Sequence, residues 1–167
     1  MTSGVDVDTE ELTLTDIEQF LYREARFADE HDYDAWEALW TTDGLYWIPG
    51  GGSSAEDPDT QMSIAYDNRS RIALRVAQLK SGKRHSQTPP SSVRRMISNV
   101  ELTGTDGTDH LVGANFLAVE SRERGTTLWA GRAEYRLRRV DGEIAMAFKK
   151  VILVDRDRAL STLAFLI

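Results

Sequence analysis

Three histidines, His31, His85 and His110, and no cysteine make up the chain's stock of soft metal ligands. Iron–sulfur centres are held mainly by cysteine thiolates, and thiolate zinc sites need several of them, so neither can be built here. No two of the histidines stand at the helical spacing of a metal pair such as H-E-x-x-H. A site of two histidines and one carboxylate would have to be gathered from distant positions. Acid–base chemistry is the other possibility. Tyr46, Tyr66, Asp67 and His85 are the residue types a dehydratase or isomerase pocket needs, a tuned base near a polarising donor. Each also has a plain structural reading: Asp67 as a helix cap, Tyr46 and Tyr66 as core aromatics, His85 in a basic surface loop. Gly50-Gly51-Gly52 is not followed by Lys-Ser/Thr and opens no helix, so it lacks the parts of a phosphate-cradling loop.

The elements that must position these residues fall into two halves. In the first, Thr15-Asp16-Ile17-Glu18 reads as a capping box, and Ile17, Phe20, Leu21, Ala25, Phe27 and Ala28 form an apolar stripe to about Glu30. Asp32 caps a second short helix, Tyr33 to Trp40, with Trp36, Leu39 and Trp40 facing the core. A short strand from Gly44 to Ile48 stops at Pro49. A third helix starts near Asp67, buries Ile72, Ala73, Val76 and Leu79, and ends at Gly82. Pro89-Pro90 excludes helix after it.

The second half is strand after strand: 93–102, 111–123, 127–140 and 143–154. Asp106-Gly107, Gly125 and Asp141-Gly142 mark the turns of an antiparallel meander. In the last strand Ile144, Met146 and Phe148 share one face, whereas Val151 and Leu153, beyond Lys149-Lys150, fall on the other. A period of two changes phase only at a bulge or where each face changes its contacts. Helices first and a bent meander after imply an α+β fold, a cone-shaped roll with N-terminal helices packed on a strongly bent antiparallel sheet. One domain over 13–167 is expected, preceded by a disordered acidic tail over 1–12. The apolar run Ala159–Ile167 should dock either on its own sheet or on another subunit.

Net charge is −7 and is unevenly distributed. Residues 1–59 carry sixteen acids and two bases, and residues 67–95 carry eight bases and one acid. Two solvated faces of opposite sign, or faces that meet between copies in a head-to-tail ring, both fit this pattern. Nucleic acid is disfavoured as a partner, because the chain is acidic overall and its basic stretch has no interleaved aromatics. No run of residues is apolar enough to cross a bilayer, so no membrane association is expected. The polar, acidic start reads as neither signal nor transit peptide, so the cytoplasm is the expected compartment. Asn68-Arg69-Ser70 matches the glycosylation pattern and carries no weight in that compartment.

The order of elements is similar to that of the cystatin-like superfamily, which includes SnoaL-type cyclases, scytalone dehydratase and ketosteroid isomerase. Within it, Phe20-Leu21-Tyr22-Arg23-Glu24-Ala25, Asp29-Glu30, Trp36, Leu39, Asp43, Tyr46 and Pro49 resemble the β (small) subunit of aromatic ring-hydroxylating, Rieske-type dioxygenases. So do Tyr66-Asp67 with Arg75, and the run from Pro89-Pro90 through Val93-Arg94-Arg95-Met96-Ile97-Ser98-Asn99-Val100. Arg132, Tyr135-Arg136-Leu137-Arg138, Ile144 and Lys149-Lys150-Val151 complete the pattern, which covers about residues 17 to 155. Ala28 departs from it, standing where a larger aliphatic residue is usual.

The resemblance implies a structural β subunit without oxygen chemistry of its own. The Rieske [2Fe-2S] cluster and mononuclear iron would lie in an α subunit, and three β subunits would form a ring supporting three α subunits. Absence of cysteine is compatible with the β role and incompatible with the α role. Arg94, Arg95, Asn99, Arg132, Lys149 and Lys150 are the candidate subunit-interface residues. The alternative is a stand-alone SnoaL-like dehydratase, isomerase or cyclase, with an acid–base pair in the cone drawn from Tyr46, Tyr66, Asp67 and His85.

Overall fold

The computed structural model describes residues 10–51, 57–59, 62–83 and 89–167. The expected acidic tail lies outside these residues up to position 9, as does His85.

The first helix, α1 (Leu14–Asp29), begins two residues earlier than the sequence suggests, because the capping box closes on Thr13 rather than Thr15. The Asp16 N–H donates to the Thr13 hydroxyl at 3.1 Å, and the Thr13 N–H donates back to the Asp16 carboxylate at 3.0 Å. Asp thus fills the box position usually given to Glu or Gln. Leu12, just before the cap, is buried in the same core as Ile17 and anchors the entering chain. Thr13→Ala is expected to cost about 1 kcal/mol of stability, read as a lower urea midpoint. An unchanged midpoint would show that the box does not hold this end.

A short helix, α2 (Tyr33–Ala38), follows Asp32, whose carboxylate accepts from the Ala35 N–H. The next strand, β1 (Trp40–Pro49), is longer than expected and starts directly after α2. A second strand, β2 (Ser63–Asn68), was not evident from the pattern; it pairs antiparallel with β1 at the sheet edge. Its presence moves the third helix, α3 (Arg69–Ser81), downstream. Asn68, not Asp67, is the cap, accepting from the Arg71 N–H at 3.1 Å. Gly82 ends α3 in the left-handed conformation, where an L side chain is strained.

Four long strands complete the chain: β3 (Ser92–Asp106), β4 (Asp109–Arg122), β5 (Gly125–Val140) and β6 (Glu143–Leu153). Their turns fall where the glycines indicate. At Asp141-Gly142 both residues have positive φ, as a two-residue turn between right-twisted strands requires. The sheet order is β2-β1-β6-β5-β4-β3. It is not wholly antiparallel, because β1 joins β6 in parallel. The chain therefore leaves the sheet after β2, crosses over through α3, and returns along the meander to close beside β1.

The phase change lies at Ala147. Arg136 faces Phe148 and Leu137 faces Met146, so Ala147 is the extra residue of a β-bulge. Phe148 consequently does not share the Met146 face. It turns outward with Lys150, while Lys149, Val151 and Leu153 point into the cone. A second irregularity sits near Asn99, which adopts positive φ where the β3–β4 register shifts between Ser98 and Glu101. Asn tolerates that conformation better than most residues.

Candidate functional site

One row of side chains crosses the inner face of the sheet through Asp67, Tyr46, Lys149, Tyr135 and Val112. The α1 helix lies over this face and contributes Glu24 and Asp29, both buried in its apolar stripe. Lys149 donates to Glu24 at 2.7 Å, and Trp36 Nε1 donates to the same carboxylate oxygen at 2.9 Å. The Lys149 ammonium also lies 5.9 Å from the Tyr46 ring and 5.8 Å from the Tyr135 ring. From β3, Arg95 reaches Asp29 twice, through its backbone N–H and its Nε, each at 2.8 Å. The cone interior is polar: Glu24 is paired with Lys149 and Asp29 with Arg95, whereas the buried Glu120 carboxylate accepts from Ser91 Oγ and, at 3.2 Å, from Trp129 Nε1.

Burial alone would raise the Glu24 carboxyl; the nearby Lys149 and Arg95 charges and the two hydrogen bonds outweigh it and hold the group below its ordinary range. Burial also lowers the Lys149 ammonium. For this coupled pair the depressed Glu24 is the direction that matters in acid. Its contribution is fully present above the unfolded carboxylate value, about 4.3, and is lost as pH falls through the lower folded value. The urea midpoint is therefore expected to fall below about pH 4 more steeply in the parent than in a Glu24→Gln/Lys149→Met variant. Equal slopes would remove this pair from the acid response.

The apolar end of the chain fills what would otherwise be the pocket. Ala164, Phe165, Leu166 and Ile167 are all buried within the chain's own core. Of the two docking places open for this run, the chain's own core is the one occupied. Tyr46 donates its hydroxyl to the main-chain oxygen of Ile167 at 2.6 Å, and Arg95 donates to the Leu166 carbonyl. Phe165 packs edge-on against Trp129, ring centres 5.7 Å apart. Among Glu24, Arg95, Tyr135, Lys149 and Ile167 only about 10 Å³ remains, scarcely room for one water.

Of the four acid–base candidates, the three among the described residues do not converge on a common site. Tyr46 and Asp67 face inward on neighbouring strands, but Asp67 accepts from Arg75 at 2.6 Å and Tyr46 is committed to Ile167. Burial pushes the Tyr46 hydroxyl far above its ordinary range, so it serves as a donor rather than a titrating acid. Tyr66 turns to the opposite face of the sheet, edge-on to Trp47. The candidate interface residues divide in the same way. Arg94 and Lys150 are on the outer face, as is Arg132, which bonds to Asn115 on β4. Lys150 stacks on Trp47 at 4.5 Å, and Asn99 sits exposed in its bulge. Arg95 and Lys149 are inside the cone and unavailable to another chain.

Among the described residues no three of His, Cys, Asp and Glu gather as a metal site. His31 bonds Ser91 O at 2.9 Å and the Tyr33 hydroxyl at 2.8 Å, which assigns a proton to Nε2 and uses both ring nitrogens. His110 Nε2 accepts from the Leu12 N–H. With no cysteine in the chain, these residues do not fit a Rieske cluster.

The charge asymmetry is in large part satisfied within the chain. Arg69 pairs with Glu37, Lys80 with Asp34, Arg94 with Glu30 and Arg95 with Asp29. Each joins the acidic first third to the basic segment. Sequence reasoning missed this, missed Glu24 as an interior partner, and placed Lys149 at a subunit interface rather than inside the cone. The signal for Glu24 was available: it stands four residues after Phe20 and three after Leu21, inside the apolar stripe.

Comparison with known proteins agrees with this geometry. Residues 23–159 match the family described as ring hydroxylating beta subunit. The chain is 28% identical over 144 residues to the small oxygenase component of the p-cumate 2,3-dioxygenase system of Pseudomonas putida, covering 85% of this chain and 79% of that one. It is 30% identical to the anthranilate 1,2-dioxygenase small subunit of Acinetobacter baylyi, covering 89% and 93%. The crystal structure of the benzoate 1,2-dioxygenase β subunit from Burkholderia mallei superposes with a TM-score of 0.73 at 28% identity, covering 86% and 92%.

Proposed function

Because the chain belongs to the family of ring-hydroxylating dioxygenase β subunits, we propose that it serves as the non-catalytic support of a larger, iron-bearing α subunit. The complex would add both atoms of dioxygen to an aromatic ring, with the Rieske cluster and mononuclear iron held by the partner. The observation that carries this reading is the filled cone. Its interior donors and carboxylates are bonded to one another and to residues 164–167, leaving no space for a substrate beside them.

The outer face of the sheet is the surface proposed for other subunits. It presents Arg94 and Arg132, and exposes Met96, Leu128 and Val154 along the same face, while Lys150 points that way but is buried against Trp47. Gly113 belongs to it: a Cβ there would collide with the Arg132 guanidinium, so glycine lets that side chain lie flat across β4. A ring of three copies within a three-α, three-β hexamer is proposed from the family alone, since the charge asymmetry is largely met inside the chain. A cytoplasmic location and a single domain over 13–167 accompany the same proposal. No helix among the described residues is long and apolar enough to cross a membrane.

Co-expression with a candidate large-subunit gene tests the partnership. A tagged chain is expected to retain a larger, cysteine- and histidine-rich protein through purification. Met96→Glu, which places a carboxylate on the exposed outer face, is expected to weaken that retention or the self-association. Purification of a stable, partnerless monomer from such cells would contradict the reading.

A further inference from the structure

We propose that the β5–β6 turn of one copy inserts into a cationic groove on the outer face of the next. There the carboxylates of Asp141 and Glu143 pair with Lys150, Arg132 and Arg136. The proposal deepens the ring of three copies put forward above and rests on that reading.

The groove crosses β4, β5, β6 and β1 and encloses about 370 Å³. Arg132, Arg136 and Lys150 line it together with Trp47 and Phe148, and Glu134 is the one carboxylate in its wall. Arg132 and Arg136 have partners in their own chain, Glu101 at 3.5 Å and Asp106 at 2.9 Å. Lys150 has none. It is only 9% exposed and its ammonium lies 4.5 Å from the centre of the Trp47 ring, yet it bonds to no acceptor among the described residues. Its neighbour Lys149 has Glu24 for that purpose. A ring face attracts a cation but does not replace an acceptor for its three N–H groups. A desolvated charge without an opposite charge is costly, and a carboxylate brought by another chain would offset that cost.

The chain carries a projection that matches. Val140 and Glu143 pair across Asp141-Gly142, and both turn residues have positive φ. Arg139 stiffens the turn, donating from Nη1 to the Gly142 carbonyl at 3.2 Å. Asp141 and Glu143 are exposed and have no cation beside them among the described residues. Val140, also exposed, places an aliphatic side chain next to them. Carboxylates flanking an aliphatic group complement cations set among aromatic walls. Turn and groove are different parts of the surface, so the contact is heterologous. Each copy offers its turn to one neighbour and its groove to another, and a rotation that closes gives a ring.

The test follows the full chain, expressed alone, by sedimentation velocity. The parent is expected to self-associate. Two variants should each weaken association at least tenfold. One is Asp141→Asn with Glu143→Gln, which keeps the shape of the turn; the other is Lys150→Met, which keeps an apolar contact on Trp47. Mixed together, they retain one intact turn and one intact groove, and should form a one-to-one dimer that neither forms alone. A monomeric parent, or association unchanged in either variant, would overturn the proposal, as would failure of the folded variants to pair in the mixture. If Lys150→Met does not fold, Arg132→Gln takes its place and the same outcomes decide. Retention of a large subunit by the tagged parent is scored separately: its absence counts against the support role, whereas the mixture decides the contact.

Discussion

Glu24→Gln is expected to lower the unfolding free energy by about 3–5 kcal/mol at neutral pH, the cost of leaving a buried charge without its partner. Glutamine keeps the shape and an acceptor for Trp36 Nε1, so the loss reports on Lys149, which lies 2.7 Å from the carboxylate and is almost wholly buried. Adding Lys149→Met should recover most of the loss, because it removes the charge while filling similar volume. The single variant should also suffer less at alkaline pH. Burial lowers the Lys149 ammonium, so its proton is lost more readily in the folded state than in the unfolded chain. Urea unfolding of the parent, both single variants and the double variant would measure the coupling. A loss below about 1 kcal/mol in Glu24→Gln would mean that Lys149 finds water or another acceptor.

Phe165→Ala should be comparably severe, at about 3–5 kcal/mol, the range for emptying a packed aromatic site. The figure applies only if the segment belongs to the core. Phe165 is buried against Trp129, and its neighbours Leu166 and Ile167 are also buried. Were the segment merely laid on the surface, truncation would cost well under 1 kcal/mol. Thermal or urea unfolding separates the two outcomes.

What could be read before the structure was the repetitive part. Glycine turns and alternation located the meander, and the failure of alternation near Lys149 pointed to a bulge, found at Ala147. That bulge decides which residue of Lys149-Lys150 faces inward. Its one-residue position has no signature of its own, so both lysines looked alike as surface candidates. The edge strand β2 was missed because it is short and passes directly into α3 at Asn68. The interior pairs were missed for a different reason. Glu24 meets Lys149 across 125 positions, and Asp29 meets Arg95 across 66. Local periodicity carries no information at such separations. The same holds for residues 164–167, whose apolar character announced a docking site without saying which.

The central claim is that this chain supports oxygen chemistry carried out elsewhere. Separating the purified complex into its two kinds of subunit and measuring iron in each tests it most directly. The account predicts iron, with the visible absorption of an iron–sulfur cluster, in the large subunit and none bound stoichiometrically to this chain. One iron per copy of this chain, retained after separation, would contradict it.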